Sequence, residues 1–239
     1  MRRFFAPKDC FVDDRVQLDA DETQHLRDVL RLRIGDEVSV FNGQGQEYRC
    51  SIRAIGKKTT ELVVIEETTP TSPESGFEIT VAATILNGEK FDLIIQKAVE
   101  LGVARLIPMN TIRCDCKLKD AAKRMNRWRR IALEATKQTG RAQSMQIGEP
   151  TGFESLLVDE KGENIVLFSE RGGKDFSIIP ADKKITALFG PKGGWDDSEL
   201  ELAADHGVKI VTLGGRVLRA ETASIAITAI LQHRFGDLY

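Results

Sequence analysis

The sequence contains few residues of the types that bind metal ions. It has four cysteines and three histidines among 239 residues, and no two cysteines form a Cys-x-x-Cys pair. Cys114 and Cys116 lie two positions apart, but no histidine is near them in sequence, which argues against a zinc site. We therefore expect no metal, and we expect free thiols of the kind found in a reducing cytoplasm.

Long apolar runs, a signal-peptide core and a large net charge are also missing. No segment reaches the length needed to span a membrane, and the basic N-terminus is not followed by an apolar core. A cytoplasmic protein without a membrane partner is expected. The formal net charge is −2, so a nucleic acid would have to be bound by a local basic patch.

Short runs of alternating polar and apolar residues dominate the N-terminal part of the chain. The runs are found at 15–18, 37–41, 48–52 and 61–65. Glycine-containing turns separate them, and this pattern predicts a small antiparallel β-barrel or sandwich. Residues 23–31 differ, because Leu26, Val29 and Leu30 have helical spacing, and a short amphipathic helix is predicted there.

A stretch rich in proline, serine and threonine, residues 68–76, predicts a linker. We place a domain boundary there, which gives domains of residues 1–72 and 73–239. Beyond the linker, strands and helices alternate, and this predicts an α/β domain with a mostly parallel sheet. The predicted strands are 79–85, 104–109, 165–168, 185–189 and 208–213. The predicted helices are 91–101, 118–139, a segment between Asp196 and Gly207, and 221–235.

Two glycine-containing loops follow predicted strands late in the chain. They read Gly-Pro-Lys-Gly-Gly at 190–194 and Leu-Gly-Gly-Arg at 213–216. Neither matches the dinucleotide fingerprint G-x-G-x-x-G or the phosphate-binding loop G-x-x-x-x-G-K-[ST]. One such loop alone would be an ordinary turn, but two at the ends of neighbouring strands predict a ligand pocket.

Arg216, Arg219 and Glu221 lie in and just beyond the second loop. Glu221 falls at the start of the last predicted helix, where an acid is favourable to the helix dipole and able to pair with Arg219. The alternative is that both face a reacting group, with the arginine stabilising negative charge and the carboxylate accepting a proton. The spacing does not decide between these interpretations.

Residues 117–141 carry nine lysines and arginines against two acidic residues. A solvated helix face is one interpretation, but so large an excess of one sign favours binding to a phosphate backbone. Trp128 interrupts the stretch and is interpreted as a core anchor in preference to a stacking platform for a base. Individual candidates for contact with RNA are Gln138 and Arg141 within this stretch, and His25 and Arg31 in the N-terminal part.

The last predicted helix is apolar on nearly all sides. A helix of this kind must be buried on several sides, because an apolar face in water is unfavourable. It therefore belongs either to the centre of the core or to an interface between two copies of the chain.

In this order, the motifs resemble the RsmE family of 16S ribosomal RNA uridine N3-methyltransferases, in the SPOUT superfamily, over essentially the whole chain. In the N-terminal part the resemblance rests on Arg3-Phe4-Phe5 and on His-Leu-x-x-Val-Leu-Arg at 25–31. In the middle it rests on Gln-Lys-Ala-x-Glu-Leu-Gly-Val at 96–103, on Arg129, and on Glu-Ala-x-x-Gln-x-x-Arg at 134–141. At the C-terminus it rests on Gly-Pro-x-Gly-Gly at 190–194, on Leu-Gly-x-Arg-x-Leu-Arg-x-Glu-Thr-Ala at 213–223, and on Phe-Gly-Asp-Leu at 235–238.

The resemblance implies more than the pattern shows. The first domain would be a PUA-like β-barrel that binds RNA, and the second a SPOUT α/β methyltransferase domain with a C-terminal trefoil knot, a rare exception to unknotted topology. The methyl donor would be S-adenosylmethionine, and the site would be completed across a homodimer interface. The substrate would be one uridine of 16S ribosomal RNA, presented by an assembled small subunit.

The resemblance also implies roles for individual residues. The implied cofactor-binding residues are Phe168, Ser169, Glu170, Phe189, Gly190, Pro191, Gly193, Gly194, Leu213, Gly214, Arg216, Leu218, Thr222 and Ala223. The implied catalytic residues are Arg219, which would stabilise charge on the uracil oxygens, and Glu221, which would accept the N3 proton. The implied RNA-binding residues are His25, Arg31, Arg129, Gln138 and Arg141.

Two positions depart from the family pattern. Lys192 stands where the family usually has glutamate, so a base replaces an acid beside the predicted cofactor site. Gly215 stands where a bulkier residue is common, which would loosen the second loop. No role of the missing acid is assigned to Lys192.

Other functions are compatible with parts of this pattern. The nearest is a SPOUT methyltransferase that acts on transfer RNA. A non-catalytic RNA-binding or ribosome-assembly protein with the same fold is a second, and it would lack affinity for the methyl donor. A nucleotide-dependent oxidoreductase is disfavoured, because the early glycine fingerprint is missing.

Overall fold

Two β-sheets, each with its own core, organise the chain. The structure is a computed structural model that describes residues 1–160, 164–180 and 182–239, without the side chains of Leu118 and Lys119. The expected contribution of Lys119 to the basic stretch therefore lies outside the described residues. The chain divides into a first compact unit, residues 1–74 with 136–144, and a second, residues 75–135 with 145–239.

The first unit contains a six-stranded curled sheet. Its strands are β1 (Arg2–Phe5), β2 (Phe11–Val12), β3 (Arg15–Leu18), β4 (Glu37–Phe41), β5 (Glu47–Ile55) and β6 (Thr60–Thr68). They lie in the order β1-β4-β5-β6-β3-β2. The four predicted strands are confirmed. The prediction of a purely antiparallel sheet is wrong at one edge, where β1 pairs with β4 in parallel. The two strands are joined by a long connection that contains β2, β3 and a helix, and not by a hairpin.

The predicted short helix is also present in this unit, as α1 (Ala20–Gln24) followed by a π-helical turn at His25–Val29. The carboxylate of Asp19 caps it by accepting a hydrogen bond from the backbone N–H of Glu22 at 2.9 Å. The wider turn buries Leu26 completely and leaves Val29 65% exposed. The predicted apolar stripe is therefore wrong at Val29, since a π turn rotates the following residues away from an α-helical register.

Ion pairs hold residues 136–144 within the first unit. The guanidinium of Arg3 donates to both carboxylate oxygens of Glu47 at 3.0 Å and to the backbone carbonyl of Thr136 at 3.0 Å. Lys137 forms an ion pair with the buried carboxylate of Glu22. Arg3 and Thr136 are 133 positions apart, so no local sequence pattern indicates this packing.

The second unit is built on a seven-stranded, all-parallel sheet. Its strands are β7 (Glu78–Thr84), β8 (Arg105–Asn110), β9 (Gln146–Ile147), β10 (Thr151–Gly152), β11 (Ile165–Phe168), β12 (Lys184–Phe189) and β13 (Lys209–Val211). Their order is β10-β8-β7-β12-β11-β13, with β9 also paired to β8. The predicted parallel α/β architecture is confirmed. The two-residue strands β9 and β10 are too short for any periodic pattern to indicate them.

Among the residues that the structure describes, six α-helices follow strands of this sheet along the chain. They are α2 (Glu89–Glu100), α3 (Leu118–Ala122), α4 (Met125–Thr139), α5 (Phe153–Asp159), α6 (Asp197–Asp205) and α7 (Ala220–Phe235). The prediction of one long helix over 118–139 is wrong. The backbone N–H of Arg124 binds the carbonyl of Ala121 at 2.8 Å, a tight turn that ends α3 before α4 begins.

Capping and packing agree with the sequence pattern elsewhere in this unit. Asp196 and Glu199 form the expected capping box at α6, with the N–H of Asp196 donating to Glu199 at 3.0 Å. Trp128 is 1% exposed and packs on Phe91 at 4.7 Å between ring centroids, so its interpretation as a core anchor is confirmed. The four cysteines are free thiols. None of the described helices is long and apolar enough to cross a membrane.

Candidate functional site

A cavity of about 420 Å³ opens where three neighbouring strands of the second unit end. The strands are β12, β11 and β13, and β11 lies between the other two. Phe168 pairs with Phe189 on one side and with Val211 on the other. Because all three strands run in parallel, the loops that follow them meet at one edge of the sheet, where open α/β sheets bind ligands.

Most of the predicted cofactor residues line this cavity. They are Phe168, Ser169, Glu170, Gly190, Pro191, Gly193, Gly194, Leu213, Gly214, Arg216, Leu218 and Ala223. Phe189 and Thr222 are not part of the lining. The ring of Phe189 is 2% exposed and stacks on Phe168 at 5.4 Å, so it supports the floor from beneath. Trp195 and Ile227 line the cavity but were not predicted.

Trp195 ties the first glycine loop to the neighbouring strand end. Its indole Nε1 donates a hydrogen bond to the carbonyl of Phe168 at 2.9 Å, and its ring packs on Phe153. A Cβ on Gly190 would lie 2.7 Å from this nitrogen. The glycine therefore allows the indole to pack directly against the loop backbone. The tryptophan directly after Gly-Gly is the feature of the sequence from which a role for Trp195 in this loop could have been predicted.

Gly194 allows a second close approach in the same loop. It has a φ of +71°, and a Cβ there would lie 2.5 Å from a carboxylate oxygen of Glu170. Glu170 in turn forms an ion pair with Arg171 at 3.6 Å, and Arg171 binds the carboxylate of Asp197 at 2.5 Å. This chain of contacts fixes the loops after β11 and β12 relative to each other.

The loop after β13 is anchored at its base and open at its tip. Thr212 accepts a hydrogen bond from the backbone N–H of Gly173 at 3.0 Å. Gly215 has a φ of +98°, and Val217 and Leu218 are 81% and 41% exposed. Two exposed apolar side chains beside a cavity are suited to contact with a ligand or a partner.

The predicted catalytic pair lies at the start of α7, beside the cavity and not in its lining. Arg219 precedes the first turn of the helix and is exposed. Glu221 has a side chain 14% exposed, and its carboxylate lies 3.2 Å from Nζ of Lys90. Sequence reasoning missed Lys90, because it comes from the distant start of α2.

Several groups act on the Glu221 carboxyl. Burial alone raises its pKa, but the hydrogen bond from its own backbone N–H, the ammonium of Lys90 and the charge of Arg219 together lower the pKa below its ordinary value. The group is therefore ionised at neutral pH. A lowered pKa also makes it a weak base.

Known proteins match this chain in both of its parts. Residues 73–232 match the family model of the RNA methyltransferase domain, and residues 18–65 match the RNA methyltransferase PUA domain. The ribosomal RNA small subunit methyltransferase E of Bacillus subtilis (strain 168) is 30% identical over 223 residues, which are 88% of this chain and 87% of the relative. The chain belongs to the ribosomal RNA small subunit methyltransferase E family.

Solved structures agree with this family over the full length. A ribosomal RNA small subunit methyltransferase E from Neisseria gonorrhoeae, bound to S-adenosyl methionine, has a TM-score of 0.91 at 32% identity and covers 100% of both chains. A methyltransferase from Legionella pneumophila in complex with SAM has a TM-score of 0.89 at 31% identity and covers 99% of both chains. The fold is thus α/β, with an N-terminal PUA-like curled sheet and a C-terminal SPOUT methyltransferase-like domain.

The candidate RNA-binding residues of this methyltransferase differ in accessibility. His25, Arg31 and Gln138 of the first unit are exposed. Arg31 has a φ of +55°, an uncommon conformation for a residue other than glycine that is enriched at functional sites. Arg129 of the second unit is exposed, and it pairs with the exposed carboxylate of Glu149 at 2.9 Å.

Arg141, in contrast, is buried and paired with a carboxylate. Its side chain is 3% exposed, and it makes two hydrogen bonds to the carboxylate of Glu74, at 3.0 and 2.6 Å. A guanidinium that is buried and doubly bonded has no face left for a phosphate. The prediction that Arg141 binds RNA therefore conflicts with its burial.

The basic stretch of this methyltransferase is partly neutralised by its surroundings. Arg127 pairs with Asp92 at 2.6 Å, and Lys137 pairs with Glu22. Lys123 pairs with Asp120 at 3.7 Å, so that with Arg129 and Arg141 at least five of the nine basic residues have a carboxylate partner among the described residues. The local positive charge is therefore smaller than the sequence indicates. Across the described residues, no group of three or more potential ligand side chains is placed to hold a metal ion.

We expect Gly190→Ala to lower the melting temperature and weaken binding of the methyl donor. The added methyl would overlap the Trp195 indole and break its hydrogen bond to Phe168, since Cβ contacts below about 3 Å do not persist in a packed interior. Gly76→Ala is the control, because a Cβ there meets no atom within 4 Å and Gly76 does not line the cavity. Thermal unfolding and calorimetry check this, and equal melting temperatures for the two variants would contradict it.

We expect Arg141→Ala to lower the free energy of unfolding by about 1–3 kcal/mol, because it leaves the partly buried Glu74 carboxylate without its partner. Urea denaturation measures this change. Arg33→Ala, which removes an exposed arginine of the same unit, should change stability by less than about 0.5 kcal/mol. An Arg141→Ala protein of normal stability with reduced RNA affinity would restore the RNA-binding interpretation.

Proposed function

We propose that this protein is an S-adenosylmethionine-dependent methyltransferase that methylates N3 of a specific uridine in 16S ribosomal RNA of the small subunit. The observation that carries the proposal is the cavity formed by the three loops after β11, β12 and β13, in a chain of this family. The similar structures from Neisseria gonorrhoeae and Legionella pneumophila are both of proteins with SAM bound.

The residues around the cavity fit this cofactor. Its walls combine apolar side chains, such as Leu213 and Ile227, with loop backbone at Gly193 and Gly214. A Cβ on Gly214 would meet no protein atom, so the loop backbone there is open to a ligand. When bound, S-adenosylmethionine supplies an activated methyl group. The protein's part is then to hold a uracil in line with that group.

The proposed catalytic residues are Arg219 and Glu221. Arg219 is exposed and makes no ion pair within 4 Å among the described residues, so its guanidinium is available to the uracil oxygens. Negative charge develops on those oxygens as the N3 proton leaves. Glu221 is ionised and is able to accept the proton, but its low basicity places most of the catalytic effect on Arg219.

RNA binding is proposed for both predicted domains, residues 1–72 and 73–239. His25, Arg31 and Gln138 would contact RNA from the first compact unit and Arg129 from the second, because all four side chains are exposed. Arg141 is not in this set, because its guanidinium is buried and bonded to Glu74. Phosphate contacts of this kind would position the RNA, and the cavity would select the uracil.

Three further features belong to the proposal. The C-terminal part would form a trefoil knot, as the resemblance to the family implies. Two copies of the chain would pair through α7 and the loop before it, where Val217, Leu218 and Ile230 leave apolar surface exposed. An assembled small subunit as substrate would place the protein in the cytoplasm.

The function is tested by methyl transfer from labelled S-adenosylmethionine. We expect label in 16S RNA, as 3-methyluridine, when small subunits from cells lacking the modification are offered. Transfer RNA offered in parallel should remain unlabelled. Label in transfer RNA alone would favour the related transfer RNA enzymes, and no donor binding by calorimetry would favour a non-catalytic RNA-binding protein.

We expect Arg219→Ala to lower kcat by about 100- to 1,000-fold with little change in donor affinity, because the arginine acts on charge that develops only in the transition state. Glu221→Gln should lower kcat by about 100-fold, the low end for a proton acceptor. Glu201→Gln, on the exposed side of α6, is the control and should behave as the parent. Single-turnover kinetics measures these values, and an unchanged kcat for Arg219→Ala would remove it from the catalytic residues.

A further inference from the structure

Three charged side chains line the cavity, and they differ in whether a neighbouring residue neutralises their charge. They are Glu170, Lys192 and Arg216. The carboxylate of Glu170 is balanced by Arg171, at 3.6 Å. Lys192 and Arg216 are both exposed, and neither has a hydrogen bond or ion pair to any described residue. The uncompensated charge of the cavity is therefore positive.

Lys192 lies at the outer rim of the first glycine loop. Pro191 beside it is buried and Gly190 packs on Trp195, whereas Lys192 is exposed. The loop is braced from outside by Arg113, which donates to the carbonyl of Gly193 at 3.1 Å and pairs with Asp196 at 3.0 Å. The backbone at Lys192 is thus fixed, while its ammonium is free to meet a ligand at the mouth of the cavity.

A positively charged methyl donor cannot by itself neutralise the positive charges of Lys192 and Arg216. S-adenosylmethionine carries a sulfonium and an ammonium against one carboxylate, so it adds positive charge to a cavity that already has two free cations. Like charges that line one cavity disfavour one another, and a bound anion offsets them. In the proposed reaction the available anions are the phosphodiesters of the RNA strand that enters the cavity mouth.

We infer that Lys192 binds a phosphodiester of the RNA substrate beside the target nucleotide, an inference that rests on the proposed function. A lysine serves as a compact point charge for phosphate and needs no fixed orientation. The residue positions the strand and does not touch the transferred methyl group.

Binding of small subunits to the protein across a range of salt concentrations tests this inference. Loss of one phosphate contact should reduce the slope of log K against log salt by about 0.7 to 1, with the dissociation constant of the donor unchanged. We expect this from Lys192→Ala, a larger loss of affinity from Lys192→Glu, and the parental slope from Lys192→Arg. In transfer assays KM for the subunit should rise while kcat changes little.

Lys183→Ala is the matched control. Lys183 is exposed and directly precedes β12, at the end of that strand opposite to the cavity, so its removal should leave the slope unchanged. A parental slope for Lys192→Ala, or weaker donor binding with an unchanged slope, would overturn the inference. The methyl-transfer assay of the parent protein judges the proposed function separately, because the salt slope is a binding measurement that needs no turnover.

Discussion

The parallel pairing of β11 with both β12 and β13 is the constraint on which the site depends. Phe168 is in register with Phe189 and with Val211, so three chain segments leave the sheet at the same level. The loops that follow these strands therefore meet at one edge of the sheet, and together they enclose a cavity of about 420 Å³. Most of the wall comes from positions that are far apart in sequence.

Close packing then decides the shape of that space. Gly190 lets the Trp195 indole lie against the loop, and Gly194 admits the carboxylate of Glu170. Both contacts are too short for any residue with a Cβ, so the glycines act through protein–protein packing as much as through access for a ligand. Open backbone for a ligand is found instead at Gly214, in the other loop.

Electrostatics separates residues that look alike in the sequence. Arg141 and Arg219 were both candidates for contact with RNA or substrate, yet the first is 3% exposed and bonded to Glu74, while the second is exposed at the cavity. The sequence left open whether Glu221 interacts with the helix dipole, with Arg219 or with a substrate. In the structure its carboxylate pairs with Lys90. In each case the deciding partner is a charge brought in from another element.

Local pattern determined the architecture of this protein. Alternation, helical spacing and turn residues were sufficient for most strands, for the parallel sheet, for the α6 cap and for Trp128 in the core, because these depend on neighbours within a few positions. The glycine loops and motifs were sufficient for the family and for most of the cavity lining. Tertiary structure alone decided the burial of Arg141, the partner of Glu221 and the absence of a partner for the ammonium of Lys192. These depend on which distant side chain arrives within bonding distance, and no local pattern carries that information.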